Sequence, residues 1–129
     1  MFAVGPFQST LHCVLFKSYM SLEYYERAHA SLASNLDAEW QLLCLRHFVS
    51  ELCAPGRTRH LLACDHGPLH PHVLGLVHAR ARLADLRTHD FYGLLYALRL
   101  KRGDYLAAAA CMFECAARLQ REVGAIRVQ

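Results

Sequence analysis

The sequence has no long hydrophobic run. Its longest, Leu106–Phe113, has eight residues, far short of the roughly 20 that cross a bilayer as a helix, so no membrane insertion is expected. No secretory leader is expected either: Met1-Phe2-Ala3-Val4-Gly5-Pro6 lacks a basic segment and is broken by Gly-Pro. The six cysteines, at 13, 44, 53, 64, 111 and 115, are therefore expected to be free thiols of a reducing compartment rather than a disulfide framework. Charge is sparse: charged residues make up 19% against 54% hydrophobic, a balance that excludes intrinsic disorder. The 14 Lys+Arg exceed the 11 Asp+Glu by only +3, too little to indicate nucleic-acid binding. The nine histidines add charge only if the pH falls. No run of alternating β-branched residues suggests a strand, and no low-complexity segment or flexible linker interrupts the chain. Gly-x-Ser-x-Gly, P-loop and Gly-x-Gly-x-x-Gly patterns are all missing, and with them the commonest signatures of catalysis.

What is present is a helical period. Phe91, Leu94, Leu95 and Leu98 fall at i, i+3, i+4, i+7, and Tyr105, Ala108, Ala109, Met112, Ala116 and Leu119 continue that spacing. Opposite the last stripe, Glu114 and Arg118 form a favourable i, i+4 pair. Val73, Leu76, Val77, Ala81 and Ala84 make a further stripe, and the segment from Trp40 to Leu52 is apolar nearly all round. Seven helices are predicted, near 8–19, 22–34, 38–53, 57–63, 70–87, 89–101 and 105–122. Asp37, Thr88 and Asp104 are the expected N-caps, and Pro71 suits a first turn. Pro55-Gly56, Gly67-Pro68 and Gly103 mark the breaks. Short links make sequential helices antiparallel neighbours.

Two helices open alike: Tyr25-x-x-Ala28-x-x-x-Leu32 is matched by Tyr105-x-x-Ala108-x-x-x-Met112, with Gly103-Asp104 just before the second. A small residue lets two helices approach closely, and a large one four positions on fills the gap between turns. Tetratricopeptide repeats use this device. The match is partial, because Tyr96 and Arg99 stand where Gly and Tyr are expected. The fold class is therefore read as all-α: antiparallel helical hairpins forming an irregular, tetratricopeptide-like α-solenoid segment. The packing positions expected to carry it are Tyr25, Ala28, Leu32, Phe91, Leu95, Tyr105, Ala108 and Met112.

A longer string supports this reading. His78 to Ala97, then Arg102-Gly103-Asp104-Tyr105, then Cys111 to Glu122, resembles the helical region of the 160-kilodalton nucleoporin family, scaffold subunits of the Y-shaped outer-ring complex of the nuclear pore. Tyr24-Tyr25-Glu26-Arg27-Ala28, Cys44-Leu45-Arg46 and Leu69-His70 follow the same order. On this basis residues 1–10 read as an unfamiliar N-terminal extension, 11–122 as the solenoid segment and 123–129 as a C-terminal tail. The resemblance implies a structural role at the nuclear envelope, in nucleocytoplasmic transport and mRNA export. It also implies other outer-ring scaffold nucleoporins as partners, with no cofactor, no small-molecule substrate, no direct nucleic-acid contact and no enzyme activity. The alternative is a generic helical-repeat module that binds a peptide or protein and has nothing to do with the pore.

Cys64, His66, His70 and His72, with His60 one turn earlier, are possible zinc ligands, but their spacing matches no standard module and solvated loop histidines are the better reading. Cys111 and Cys115 lie at i, i+4 on one helix and are expected to pack as small hydrophobes. Arg80, Arg82, Arg87, Arg99, Lys101 and Arg102 cluster late in two helices, where cations complement the macrodipole. Metal, catalytic and cofactor residues are each expected to be none.

Overall fold

The structure, a computed structural model, describes residues 6–128. They form α1 (Pro6–Ser21), α2 (Tyr25–Ala33), α3 (Ala38–Leu52), α4 (Thr58–Ala63), a 3₁₀ turn (Gly67–Leu69), α5 (His70–Leu83), α6 (Phe91–Lys101) and α7 (Tyr105–Val128). No strand occurs among the described residues, and the all-α helical-repeat class is the one observed. The chain divides between Val73 and Leu74 into two compact units.

Side-chain caps set where several helices begin. Asp37 Oδ1 accepts from the backbone N–H groups of Glu39 and Trp40 at 3.1 and 3.3 Å, satisfying donors that have no partner inside a helix. Asp104 Oδ1 does the same for Ala107 at 3.2 Å. The cap of α6 is Asp90, whose Oδ1 accepts from Gly93 N–H at 3.0 Å, and not Thr88. The Thr88 hydroxyl instead donates to the Asp85 carbonyl at 3.3 Å, while Asp85 Oδ1 accepts from Arg87 N–H at 2.9 Å. This turn ends α5 at Leu83, earlier than expected, and starts α6 at Phe91, later than expected. At the chain's far end α7 runs to Val128 rather than 122, since a single Gly such as Gly124 costs a helix only about 1 kcal/mol and does not stop it.

The sequence repeat is also a repeat of backbone geometry. After α6, Gly103 turns left-handed (φ 74°). Gly103 N–H then donates to the Leu100 carbonyl at 2.9 Å, and Asp104 N–H to the Arg99 carbonyl at 3.0 Å. After α1, Glu23 takes the left-handed position (φ 62°). Its N–H donates to the Met20 carbonyl at 3.1 Å and Tyr24 N–H to the Tyr19 carbonyl at 2.9 Å. Both are the paired 5→2 and 6→1 bonds of a Schellman ending. Each is followed one residue later by the helix that opens Tyr-x-x-Ala. The α1–α2 and α6–α7 hairpins thus share turn, register and small residue.

In the first unit α1 packs on α2 and α3, α2 on α3, and α3 on α4. Phe16, Leu32, Leu45, Phe48, Leu52 and Leu61 form its centre, all essentially inaccessible. Phe16 meets His47 edge-on at 5.9 Å and Phe48 at 6.5 Å between ring centres. In the second unit α6 packs on α7. There Tyr92, Leu95, Leu98, Ala108 and Cys111 are buried, as are Val77 and Ala81 of α5.

Two substitutions test the hairpins. Glu23 holds a conformation that costs an L residue about 1–2 kcal/mol, offset by an exposed ion pair to Arg57 at 3.2 Å that contributes little. Glu23→Gly is expected to raise stability by about 0.5–1 kcal/mol in urea denaturation; a loss of stability would contradict the strain. Ala108, with no exposed surface, leaves no room for growth, so Ala108→Leu is expected to cost about 1–3 kcal/mol. An unchanged melting temperature would remove the close crossing at that residue.

Candidate functional site

The eight packing positions do not all meet the same fate. Tyr25, Ala28, Leu32, Leu95 and Ala108 are buried. Phe91 is half-buried, its ring stacked on that of His89 at 5.2 Å, and Tyr92 is the aromatic residue of α6 that is fully buried. Tyr105 and Met112 stand open in this chain instead, 71% and 40% exposed. The reason lies in helix geometry. At about 100° per residue, the repeated pattern covers two adjacent faces. On α2 Ala28 and Ser31 are buried on one face, and the face through Tyr25, His29 and Leu32 turns to the next elements. The Tyr25 ring lies 4.8 Å from that of His60 on α4, and the His29 ring 5.4 Å from that of Phe48 on α3. On α7 the equivalents of the first face, Ala108 and Cys111, are buried, while those of the second, Tyr105, Ala109 and Met112, are open. Leu106 and Phe113 widen this open strip.

The polar centre of the second unit is Glu114. Its carboxylate accepts from Tyr92 Oη at 2.8 Å, His78 Nε2 at 2.8 Å and Arg82 Nη2 at 3.1 Å. Burial works against the charge, but the bonds from Arg82, His78 and Tyr92 outweigh it and hold the carboxyl at about 2, against an ordinary 4.5. Burial and the bond to Glu114 push the Tyr92 phenol up. One turn on, Arg118 does not pair with Glu114 as its spacing suggested. Its Nη1 and Nη2 donate to the Ala81 and Ala84 carbonyls at 2.6 and 2.5 Å, and its Nε to Glu122 at 3.0 Å. A cation from α7 thereby satisfies carbonyls at the end of α5, which carries partial negative charge. Glu114 and Arg118 lie opposite the apolar stripe of α7. Nothing in that stripe signals that α5 and Tyr92 lie alongside.

Several buried polar groups in the first unit are paired in the same manner, whereas His12 Nδ1 is buried without a partner. Asn35 Oδ1 accepts from Ser9 Oγ and Asp37 N–H, each at 3.0 Å, and Asn35 Nδ2 donates to the Ser9 carbonyl at 3.4 Å. His66, expected in a solvated loop, is buried. Its Nε2–H donates to the Leu61 carbonyl at 2.9 Å, which leaves Nδ1 to accept from His29 Nε2–H at 3.1 Å. Burial lowers the pKa of His29, with Asp65 opposing. Cys64 is buried, His60 and His70 half-buried and His72 exposed. Among the described residues no group of three or more His, Cys, Asp or Glu is arranged to hold a metal, and no helix is long and apolar enough to cross a membrane. Of the basic cluster, Arg82 bonds Glu114, and Arg99 Nη1 donates to the Ala107 carbonyl at 2.7 Å.

Because the folded carboxyl of Glu114 sits below its unfolded value, its stabilising effect is complete above pH 4.5 and is lost as the pH falls toward 2. Glu114→Gln is expected to remove that part of the acid dependence. At neutral pH it should cost about 1 kcal/mol, since partial solvent access keeps charged hydrogen bonds near the low end of their range. Denaturant titrations of both proteins between pH 2 and 7 check this; parallel curves would contradict the role of the charge.

A sequence model described as NUP160/120 middle TPR matches residues 4–128. The nuclear pore complex protein Nup160 of mouse is 38% identical over 120 residues, 93% of this chain and 9% of its own length. Human Nup160 is likewise 38% identical over 120 residues, 93% of this chain and 8% of its own length. Nucleoporin NUP120 of Chaetomium thermophilum is 26% identical over 109 residues, covering 83% of this chain and 9% of its own length. The chain thus spans less than a tenth of the relatives it matches. With helical hairpins, a shared turn and a match over nearly its whole length, the chain belongs to the Nup160/Nup120 family of nucleoporins, in the middle tetratricopeptide-like region of that family.

Proposed function

We propose that this chain is a structural segment of the outer-ring scaffold of the nuclear pore complex at the nuclear envelope. In this reading it serves nucleocytoplasmic transport, including mRNA export, through contacts with other outer-ring nucleoporins. The observation that carries the reading is membership of the Nup160/Nup120 family over residues 4–128. The relatives' names and a helical fold without a catalytic constellation in the sequence point to a structural rather than a chemical role.

The open strip on α7 supplies a physical reason for such a role. In the first hairpin the equivalent face of α2 is covered by α3 and α4. In the second the same pattern stands exposed, with Tyr105 and Met112 flanked by Leu106 and Phe113. Apolar strips of this kind mark contact surfaces, and repeat proteins bury them by stacking the next unit. Residues 11–122 act in this reading as one stretch of solenoid.

The test is to express the chain with a fluorescent tag beside a full-length outer-ring nucleoporin. A stable nuclear-rim signal is expected, and Tyr105→Asp combined with Met112→Asp should weaken it while leaving helical circular dichroism intact. Diffuse signal from soluble, folded, unsubstituted chain would overturn the scaffold reading.

A further inference from the structure

Two of the cysteines meet across helices. Cys13 of α1 and Cys44 of α3 are both buried, and their sulfurs lie 3.8 Å apart. This differs from Cys111 and Cys115, which sit one turn apart on α7. Positions i and i+4 of a helix hold their Cβ atoms about 5–6 Å apart, beyond the roughly 3.5–4.5 Å a disulfide spans. Cys13 and Cys44 belong to separate elements, so side-chain rotation and a small shift of one helix can close them.

The surroundings give the two sulfurs different roles. Asn35 Nδ2 donates to Cys13 Sγ at 3.6 Å, and Asn35 is itself fixed by Ser9 and the Asp37 backbone. Burial pushes the Cys44 thiol up to about 12, and the bond to Cys13 adds to this, against the charge of Lys17. Burial thus disfavours the Cys44 thiolate, while the amide N–H of Asn35 is aimed at the Cys13 sulfur. Both cysteines line a groove of about 620 Å³ between α1 and α3, together with Lys17, Met20, Trp40 and His47. A small oxidant can reach the pair through it.

We propose that Cys13 and Cys44 are a modification site that a hydroperoxide converts to an intramolecular disulfide, with Cys13 as the attacking sulfur and Cys44 as the resolving one. The Cys13 thiolate attacks one peroxide oxygen. The S–O bond forms, the O–O bond breaks, and the departing hydroxide takes up the proton that Cys13 gave up. The Cys44 sulfur then attacks the resulting sulfenic acid, the S–S bond forms, and the hydroxyl leaves as water with the Cys44 proton. Overall two thiols lose two hydrogens, and hydrogen peroxide is reduced to two waters. The product ties α1 to α3 across residues 13–44 and is independent of any pore assembly.

The experiment treats the purified full chain with hydrogen peroxide, blocks remaining thiols, digests the monomer with trypsin without reduction and reads peptides by mass spectrometry. Peptides 1–17 and 28–46 are expected as one linked species, two hydrogens lighter than their sum and separated by dithiothreitol. The oxidised chain should melt at a higher temperature than the reduced one. In Cys44→Ser, a dimedone adduct is expected on Cys13; in Cys13→Ser, none on Cys44. Cys13 and Cys44 both remaining alkylatable while half-buried Cys115 oxidises would overturn the proposal. So would linkage of either to another cysteine. The linked peptide is read in the unsubstituted chain, so failure of a variant to fold leaves the test intact.

Discussion

Everything in the two hairpins hangs on an alanine at a helix crossing. Ala28 and Ala108 have no accessible surface at all, and each stands four residues after the end of a Schellman turn. The turn fixes the direction in which the second helix leaves, and the methyl group fixes how near it passes. Larger neighbours such as Phe16, Leu32, Tyr92 and Leu95 then fill the space that this spacing leaves. That order of dependence explains why Tyr-x-x-Ala is retained in both hairpins while the flanking residues diverge. The left-handed residue is Gly in one turn and Glu in the other, and the cap is Asp in one and absent as a side chain in the other.

With helices this close, polar atoms have nowhere to hide. An unmade hydrogen bond in such a place costs about 1–3 kcal/mol, and each unit meets the demand with one central acceptor. Asn35 receives a hydroxyl and a backbone N–H in the first unit. Glu114 receives a phenol, an imidazole and a guanidinium in the second. The His29–His66 pair adds a constraint of protonation, because a chain of N–H···N–H···O=C bonds runs in one direction when both rings are neutral. These groups make the packing specific where leucines alone would tolerate sliding.

Much of this was legible from the residues, and the limits follow from where the information lies. Period and breaks gave the helices, since Leu94, Leu95 and Leu98 or Val77 and Ala81 reveal a buried face through local spacing alone. Asp37 and Asp104 were readable as caps because capping is local as well. Thr88 lost to Asp90 because the Asp85 turn competes for its hydroxyl. What spacing cannot give is which of two adjacent apolar faces finds a neighbour. Tyr25 and Tyr105 occupy the same register in the same pattern, yet one is covered by α4 and the other is open. The roles of Glu114, Arg118, His29 and Asn35 were hidden for a similar reason, as their partners lie 22 to 37 positions away.

The grip of Arg118 on α5 has a consequence in time. The carbonyls it satisfies are 37 and 34 residues upstream, whereas the α6–α7 turn closes over a handful of positions. Local contacts form before distant ones, since a longer loop must be closed before its contacts reward it. The α6–α7 hairpin therefore assembles early and carries the guanidinium with it. The last turn of α5 is closed from both sides, by its own Ala84 N–H to Arg80 carbonyl bond and by that guanidinium. The Asp85 turn sets where α5 stops, and the guanidinium from α7 satisfies the carbonyls left at that end.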